Sequence, residues 1–189
     1  MVGKSSVRNP SLKKLFSFFL VSLFLGNPIA NAEDEDPLET VVDLDLNRYV
    51  GVWHQIAYIP NRFQKMCEKD TRANYEVLGD GRIKVVNSCR DADSNLHIAK
   101  GIARLNAAYR DPAKLQVRFA PAWLSFLPFV WGDYWVLDID ADYSSVLVGS
   151  PDRQYLWLLA RSSELAKDRK ISLRQKASVL GFDVTKLSE

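Results

Sequence analysis

The sequence predicts an antiparallel all-β domain, a sandwich or a barrel, with a single helix near its C-terminus. Three observations predict it. Eight short apolar runs lie within residues 52–161, mostly about a dozen residues apart and separated by turn residues. No strand–helix–strand alternation occurs, which argues against a parallel sheet. Only one stretch has an extended helical period, between Ser162 and Gly181.

The runs justify themselves in order. "VWHQIAY" comes first, preceded by Tyr49 and Gly51, with Trp53 inside it. "TRANYEV" and "IKVVNSC" follow, joined by "LGDGR", and Asp80-Gly81 between β-rich runs is a strong hairpin signal. A hairpin centred there sets Tyr75 opposite Val85 and Thr71 opposite Cys89. Next come "IAKGIARLN", "KLQVRF", "DYWVLDI", "SVLVGS" and "QYLWLLAR". Alternation puts Ile83, Val85 and Asn87 on one face, as it does Leu115, Val117 and Phe119, and Tyr155, Trp157, Leu159 and Arg161. A face that mixes large apolar groups with Asn87 and Arg161 is unusual for a solid core. Ser162 or Ser163 is placed to cap the helix and Gly181 to end it, over about 163–180, with Leu173, Ala177 and Leu180 as its apolar stripe. "FDVTKL", about 182–187, is expected to add a short last strand.

The flanking composition bounds location and partners. Residues 1–32 hold Lys4, Arg8, Lys13 and Lys14, no acid, and the apolar run Leu15–Gly26, and they close on Ala30-Asn31-Ala32. A run of twelve residues is short of the roughly 20 that span a bilayer, so this reads as a cleaved secretory signal. No cysteine stands at the cut to carry a lipid. The expected product is a free, soluble periplasmic protein starting near Glu33, with or without outer-membrane association. Residues 33–43 form an acidic leader, expected to be flexible, and 44–189 form the folded domain, with its barrel or sandwich over about 50–161. The chain has a formal net charge of +2, and without the four basic residues of the signal it is mildly acidic, which gives no reason to expect a nucleic acid partner. Cys67 and Cys89 are the two cysteines, and an oxidising compartment favours a bridge between them over two buried thiols. Cys67 lies beyond the hairpin register, so bonding requires the preceding loop to fold back. With His54 and His97 the cysteines show no zinc-ligand spacing, and no metal or cofactor is expected.

Gly51-x-Trp53 after Tyr49, then Asp140-x-x-Tyr143, then "SSVLVGSPDRQYLWLLAR" closing on Arg161, resemble three sequence blocks of the lipocalins. The second and third blocks are similar to those of the bacterial, outer-membrane lipoprotein type, with Ser150 as one extra residue and without that type's anchoring cysteine. "GFDVTKL" fits the same group, and the resemblance spans about residues 44–187. It implies an eight-stranded antiparallel up-and-down barrel with the helix packed outside. It also implies that Trp53 plugs the closed end, that Arg161 lies over its ring, and that Gly51 lets the backbone turn tightly at the entrance.

Such a barrel is just wide enough for side chains or one small ligand. Small residues expected to face inward, Ala57, Ala73, Gly101 and Ala103, favour a hollow. Gln55, Asn87 and Tyr134 are its candidate hydrogen-bonding groups, and Tyr75, Val85, Val117, Phe119 and Trp157 its walls. The loop "APAWLSFLPFVW" falls at the open end and carries Trp123, Phe126, Phe129 and Trp131 where a rim should be polar. A lid over a ligand, a membrane-dipping surface and a homodimer interface are all consistent with it. Arg62, Lys65, Lys69 and Arg72 lie near enough to meet an acidic head group. The implied function is non-catalytic storage or transport of fatty acids or lysophospholipids for envelope maintenance. The alternatives are a lipid-acting enzyme of the same fold, for which no nucleophile and base pair stands out, and a pigment or haem binder using His97.

Overall fold

The computed structural model describes residues 37–189. The expected secretory signal and the first part of the expected leader lie outside the described residues. A short helix, α1 (Leu46–Tyr49), precedes eight strands: β1 (Gly51–Tyr58), β2 (Lys69–Val77), β3 (Ile83–Arg90), β4 (Leu96–Leu105), β5 (Lys114–Arg118), β6 (Gly132–Ile139), β7 (Ser145–Gly149) and β8 (Leu156–Ala160). Helix α2 (Lys167–Val179) follows. Each strand pairs with the next, all antiparallel, and β1 pairs with β8, so the sheet closes into a barrel with no free edge. The even spacing of the runs and the hairpin at Asp80-Gly81 produce this order, and Tyr75 pairs with Val85 as expected.

Two apolar layers result. The inner layer gathers Tyr49, Trp53, Ala73, Tyr75, Ile83, Val85, Ala103, Leu115, Val136, Val146, Val148 and Leu159. The outer layer lies under α2 and the C-terminal segment, and holds Ile56, Trp135, Leu137, Leu147, Leu158, Leu173, Ala177 and Phe182. That is why β7 is buried at every position: one of its faces meets the lumen and the other meets the helix side.

Four expectations are corrected. A register shift between Gln55 and Ala57 reverses the alternation of β1, so Ala57 pairs with Leu158 and lies in the outer layer, not the lumen. Helix α2 starts at Lys167 rather than near 163, with Ala166 before it and no side-chain cap from Ser162 or Ser163. The chain needs those residues to leave β8 and reach the outer wall, where Leu173 and Ala177 become fully buried. No strand forms at 182–187: Asp183 accepts from the Thr185 amide and sets up a 3-10 turn at Val184–Lys186, leaving a single bridge between Ser188 and Tyr58. The leader, where described, is tied down by its apolar members. Leu38 is buried and the Val41 amide donates to the Val136 carbonyl at 3.0 Å.

The base is closed by one cluster. Arg161 lies 3.9 Å from the Trp53 ring centroid. Its Nη1 donates to the Val52 carbonyl (3.0 Å), its Nη2 to the Arg48 and Tyr49 carbonyls (2.7 and 3.2 Å) and its Nε to the Tyr143 carbonyl (3.3 Å). The Arg48 and Tyr49 carbonyls end α1 and have no partner inside so short a helix. Trp53 Nε1 donates to Tyr49 O at 2.8 Å. Gly51 sits at φ +96°, and a Cβ there would approach Arg161 Nη1 to 3.2 Å, so glycine both permits the turn and makes room for the guanidinium.

The acids of the Asp140–Tyr143 block are structural. Arg169 of α2 pairs with Asp138 (2.6 Å) and Asp140 (2.7 Å), and the Tyr143 hydroxyl accepts from the Asp45 amide. Cys67 and Cys89 form a disulfide. The loop before β2 folds back to reach it, and closing that segment contributes on the order of 3 kcal/mol.

Replacing Arg161 with alanine removes the ring contact and strands several carbonyls. We expect Arg161→Ala to lower unfolding free energy in urea by roughly 2–4 kcal/mol. An unchanged denaturation midpoint would refute the role assigned to this base cluster.

Candidate functional site

Directly opposed residues of an antiparallel pair share a face, so the register traces the inner wall. Asn87 pairs with Ala73 and Ala99, Gly101 with Val85, Gly132 with Val117, and Gln55 with Leu159. Accessibility along this wall is graded. Toward the base Tyr49, Trp53, Ile83 and Leu115 are buried, and Val136 and Val148, the latter opposite Trp157, are buried further up the wall. Toward the opposite end Gln55, Asn87, Gly101, Val117, Tyr134 and Trp157 are half-buried, and Ala99 and Gly132 are exposed, although all of them face the inside of a closed barrel. Solvent reaches them through the lumen, so the barrel is stoppered at the bottom and open at the top.

A layer of three tyrosines marks the depth to which that opening runs. The Tyr134 hydroxyl lies 2.6 Å from the Tyr49 hydroxyl and 2.9 Å from the Tyr75 hydroxyl. Tyr49 stacks on Tyr75 with centroids 5.7 Å apart and tilts against Trp53 at 5.3 Å, so the layer rests on the base plug. Burial pushes Tyr75 up to about 12 and raises Tyr49 and Tyr134 well above the usual phenol range. Above this layer the amide oxygen of Asn87 is buried with no hydrogen-bond partner.

The upper wall carries a second polar chain. Gln64, in the β1–β2 loop, donates to Gln55 Oε1 at 2.7 Å and accepts from Trp157 Nε1 at 2.9 Å and Asn61 Nδ2 at 2.9 Å. This pins the loop across the top of β1 and β8. Phe63, Tyr155 and Trp157 stack in sequence from the rim inward, with centroids 6.0 and 5.9 Å apart. Sequence reasoning missed Gln64, because no periodic pattern covers a loop, and missed Ala99, whose inward direction follows only from its pairing with Asn87.

Of the expected lumen residues, Gln55, Tyr75, Val85, Asn87, Ala103, Val117, Tyr134 and Trp157 line the interior. Ala57 does not; it borders an outer groove with Leu158 and Ile171 beside α2. Gly101 faces in, but the Phe119 ring occupies the space beside it, since a Cβ there would lie 2.8 Å from Phe119 Cδ1. Trp131 also differs from expectation. It precedes inward-facing Gly132, so it points outward, where Arg104 and Arg118 lie 3.7 and 5.2 Å from its ring centroid. The rest of that loop forms two 3-10 turns, Ala122–Leu124 and Pro128–Val130, and holds Trp123, Phe126 and Phe129 in solvent at 73%, 76% and 80% exposure. Phe63 and Met66 are exposed on the β1–β2 loop, across the barrel mouth. Arg62, Lys65 and Lys69 are exposed near this rim, whereas Arg72 sits on the outer wall opposite His54. His97 is exposed at the rim end of β4, on the same face as Ala99, and is bonded to Asp91 at 2.7 Å, which draws that carboxyl down to about 2.

The comparisons with known proteins agree with this geometry. The family model described as "Lipocalin-like domain" matches residues 44–189. The chain belongs to the lipocalin family. It is 39% identical to temperature-induced lipocalin-1 of Arabidopsis thaliana over 155 residues, covering 82% of each chain. It is 36% identical to the outer membrane lipoprotein Blc of Escherichia coli over 149 residues, 78% of this chain and 79% of that one. Among solved structures, insecticyanin of the tobacco hornworm Manduca sexta superposes with a TM-score of 0.61 at 23% identity, covering 80% of this chain and 82% of that one. Lobster apocrustacyanin A1 superposes with a TM-score of 0.58 at 21% identity, covering 75% and 76%. These two likenesses are of fold. A lipocalin barrel is a binder of small hydrophobic ligands, and the graded lumen is where this lipocalin would hold one.

The tyrosine layer makes stability depend on pH in the alkaline range. A phenol whose folded value lies above its unfolded value of about 10 stabilises fully below that value, and the contribution is lost as pH rises toward the folded value. Thermal melts should fall between pH 10 and about 12, with ionisation of the buried phenols at 295 nm appearing only on unfolding. Full phenolate absorbance in the still-folded protein near pH 10 would contradict their burial.

Proposed function

We propose that this lipocalin is a non-catalytic carrier of lipids with a long apolar tail, fatty acids or lysophospholipids, serving storage or transport in envelope lipid maintenance. The observation that carries this reading is the accessibility gradient: a greasy wall open at one end only. A tail inside it gains about 0.8 kcal/mol for each CH₂ removed from water, while a head group stays hydrated at the top. Arg62, Lys65 and Lys69 stand near the rim to meet a carboxylate or phosphate, each singly worth little in solvent. No group in the lumen is arranged as nucleophile and base, so chemistry on the lipid has no support here.

The rim is read as a surface that meets lipid. Trp123, Phe126 and Phe129 are exposed to solvent, which argues against a closed lid, and the basic residues of the β1–β2 loop at the same end of the barrel suit an anionic surface. An exported chain is consistent with the disulfide, and the Escherichia coli relative is by name an outer membrane lipoprotein. For this chain we propose a soluble periplasmic form, cleaved after Ala32.

The lumen is tested by filling it. Ala99→Trp should weaken oleate binding more than tenfold, followed by Trp157 fluorescence or calorimetry, with the melting temperature unchanged. Unaltered affinity would remove the lumen from the binding site. The rim is tested separately. Phe126→Ser/Phe129→Ser should abolish sedimentation with phosphatidylglycerol vesicles while leaving oleate affinity intact; retained sedimentation, or a shift from dimer to monomer on mutation, would assign the rim elsewhere.

A further inference from the structure

Hydrogen-bond accounting in the lumen leaves two groups over. Tyr49, Tyr75 and Tyr134 bring three hydroxyl protons to two mutual contacts, and none of the three hydroxyls bonds any other described group. One donor is therefore unspent. Tyr49 and Tyr75 are 2% and 8% exposed, whereas Tyr134 remains half-buried. The group that faces the open lumen is thus Tyr134, with the two deeper phenols donating to its oxygen. The second surplus group is the Asn87 amide oxygen, buried and without a donor. It sits one inward step toward the rim from Val85, the residue opposite Tyr75, whose hydroxyl meets that of Tyr134. A wall meant only for hydrocarbon would not turn a spare phenol proton toward the lumen and also leave a buried amide oxygen unmatched, since that oxygen carries a desolvation penalty.

The layer is also uncharged. Its inward neighbours Val85, Asn87, Ala99, Gly101 and Val117 carry no charge, the phenols stay protonated at ordinary pH, and Arg161 spends its guanidinium on carbonyls below. A carboxylate or ammonium there would be buried without a counter-charge. From Val85 to Arg90 at the rim is five residues of β3, about 16 Å along the strand at roughly 3.3 Å per residue. A ligand whose head group stays at the rim therefore reaches this layer part-way down its tail.

We infer that the Tyr134–Asn87 level is a polar subsite that selects amphiphiles bearing an uncharged oxygen function, a hydroxyl or carbonyl, within the apolar tail. The class is oxygenated lipids rather than plain hydrocarbon chains. An alcohol would accept from Tyr134 and donate to Asn87; a ketone or epoxide would use Tyr134 alone. The inference rests on the carrier reading above and refines its ligand.

The experiment compares two probes that differ by one mid-chain hydroxyl, oleate and ricinoleate, titrated into the delipidated full mature chain by calorimetry. Ricinoleate should bind at least fivefold tighter to the unaltered protein. Tyr134→Phe, which keeps the ring, and Asn87→Leu, which keeps the volume, should each bring the ricinoleate-to-oleate affinity ratio down toward one. The two variants are independent, so a folding defect in one leaves the other decisive, and a thermal melt identifies it. Equal affinity for both probes in the unaltered protein overturns the subsite but leaves the carrier reading standing. A preference that survives both variants overturns the residue assignment. Binding of neither probe overturns the carrier reading and the subsite together.

Discussion

A guanidinium lying flat on an indole closes one end of this barrel, and the rest of the molecule depends on it. Arg161 ends the sheet and Trp53 begins it, so their contact staples the first strand to the last where the sheet must close on itself. The same arginine takes the carbonyls that α1 leaves unpaired, which fixes that short helix across the bottom. Tyr49, the last residue of α1, is thereby held as the support of the tyrosine layer. Without the plug, water would enter from both ends and the apolar wall would gain little by enclosing a tail.

Above the plug the wall changes from a packed core to a lumen within a few residues of each strand. Large side chains meet across the base, whereas Ala73, Ala99 and Gly132 leave the upper axis unfilled. The barrel keeps its stability in two places that ligand binding does not disturb. One is the base cluster. The other is the outer layer, where α2 lays Leu173 and Ala177 against the strands and Arg169 ties the helix to Asp138 and Asp140. Burying apolar surface outside allows it to stay unfilled inside.

The rim inverts the usual rule for loops. Three of its most exposed side chains, Trp123, Phe126 and Phe129, are aromatic, and across the mouth the Phe63–Tyr155–Trp157 stack leads from the β1–β2 loop into the lumen. An amphiphile passing from a lipid surface inward would keep apolar contact along the whole path. Gln64 holds the loop that carries Phe63 in place by bonding both Gln55 and Trp157, so the entrance is a built feature of the wall.

Much of this was legible from residue order. The eight runs and the Asp80-Gly81 turn indicated an antiparallel sandwich or barrel, because local period and turn chemistry act over short distances along the chain, and the resemblance carried by the blocks around Trp53, Asp140 and Arg161 implied the barrel with a plugged end. The inward direction of Gln55, Asn87, Val117 and Tyr134 was equally readable, since strict alternation holds where the ladder is regular. What needed tertiary structure was whatever depends on a break in that regularity or on a distant partner. A single inserted residue in β1 sends Ala57 to the outer wall, and Trp131 turns out toward two arginines that are far from it in sequence. The disulfide required a loop to fold back, and the tyrosine layer joins α1, β2 and β6 across the barrel. Sequence alone therefore determined the container. Which atoms remain unmatched inside it was decided by the closure of the sheet, because only closure brings hydroxyls from three separate elements within reach of one another.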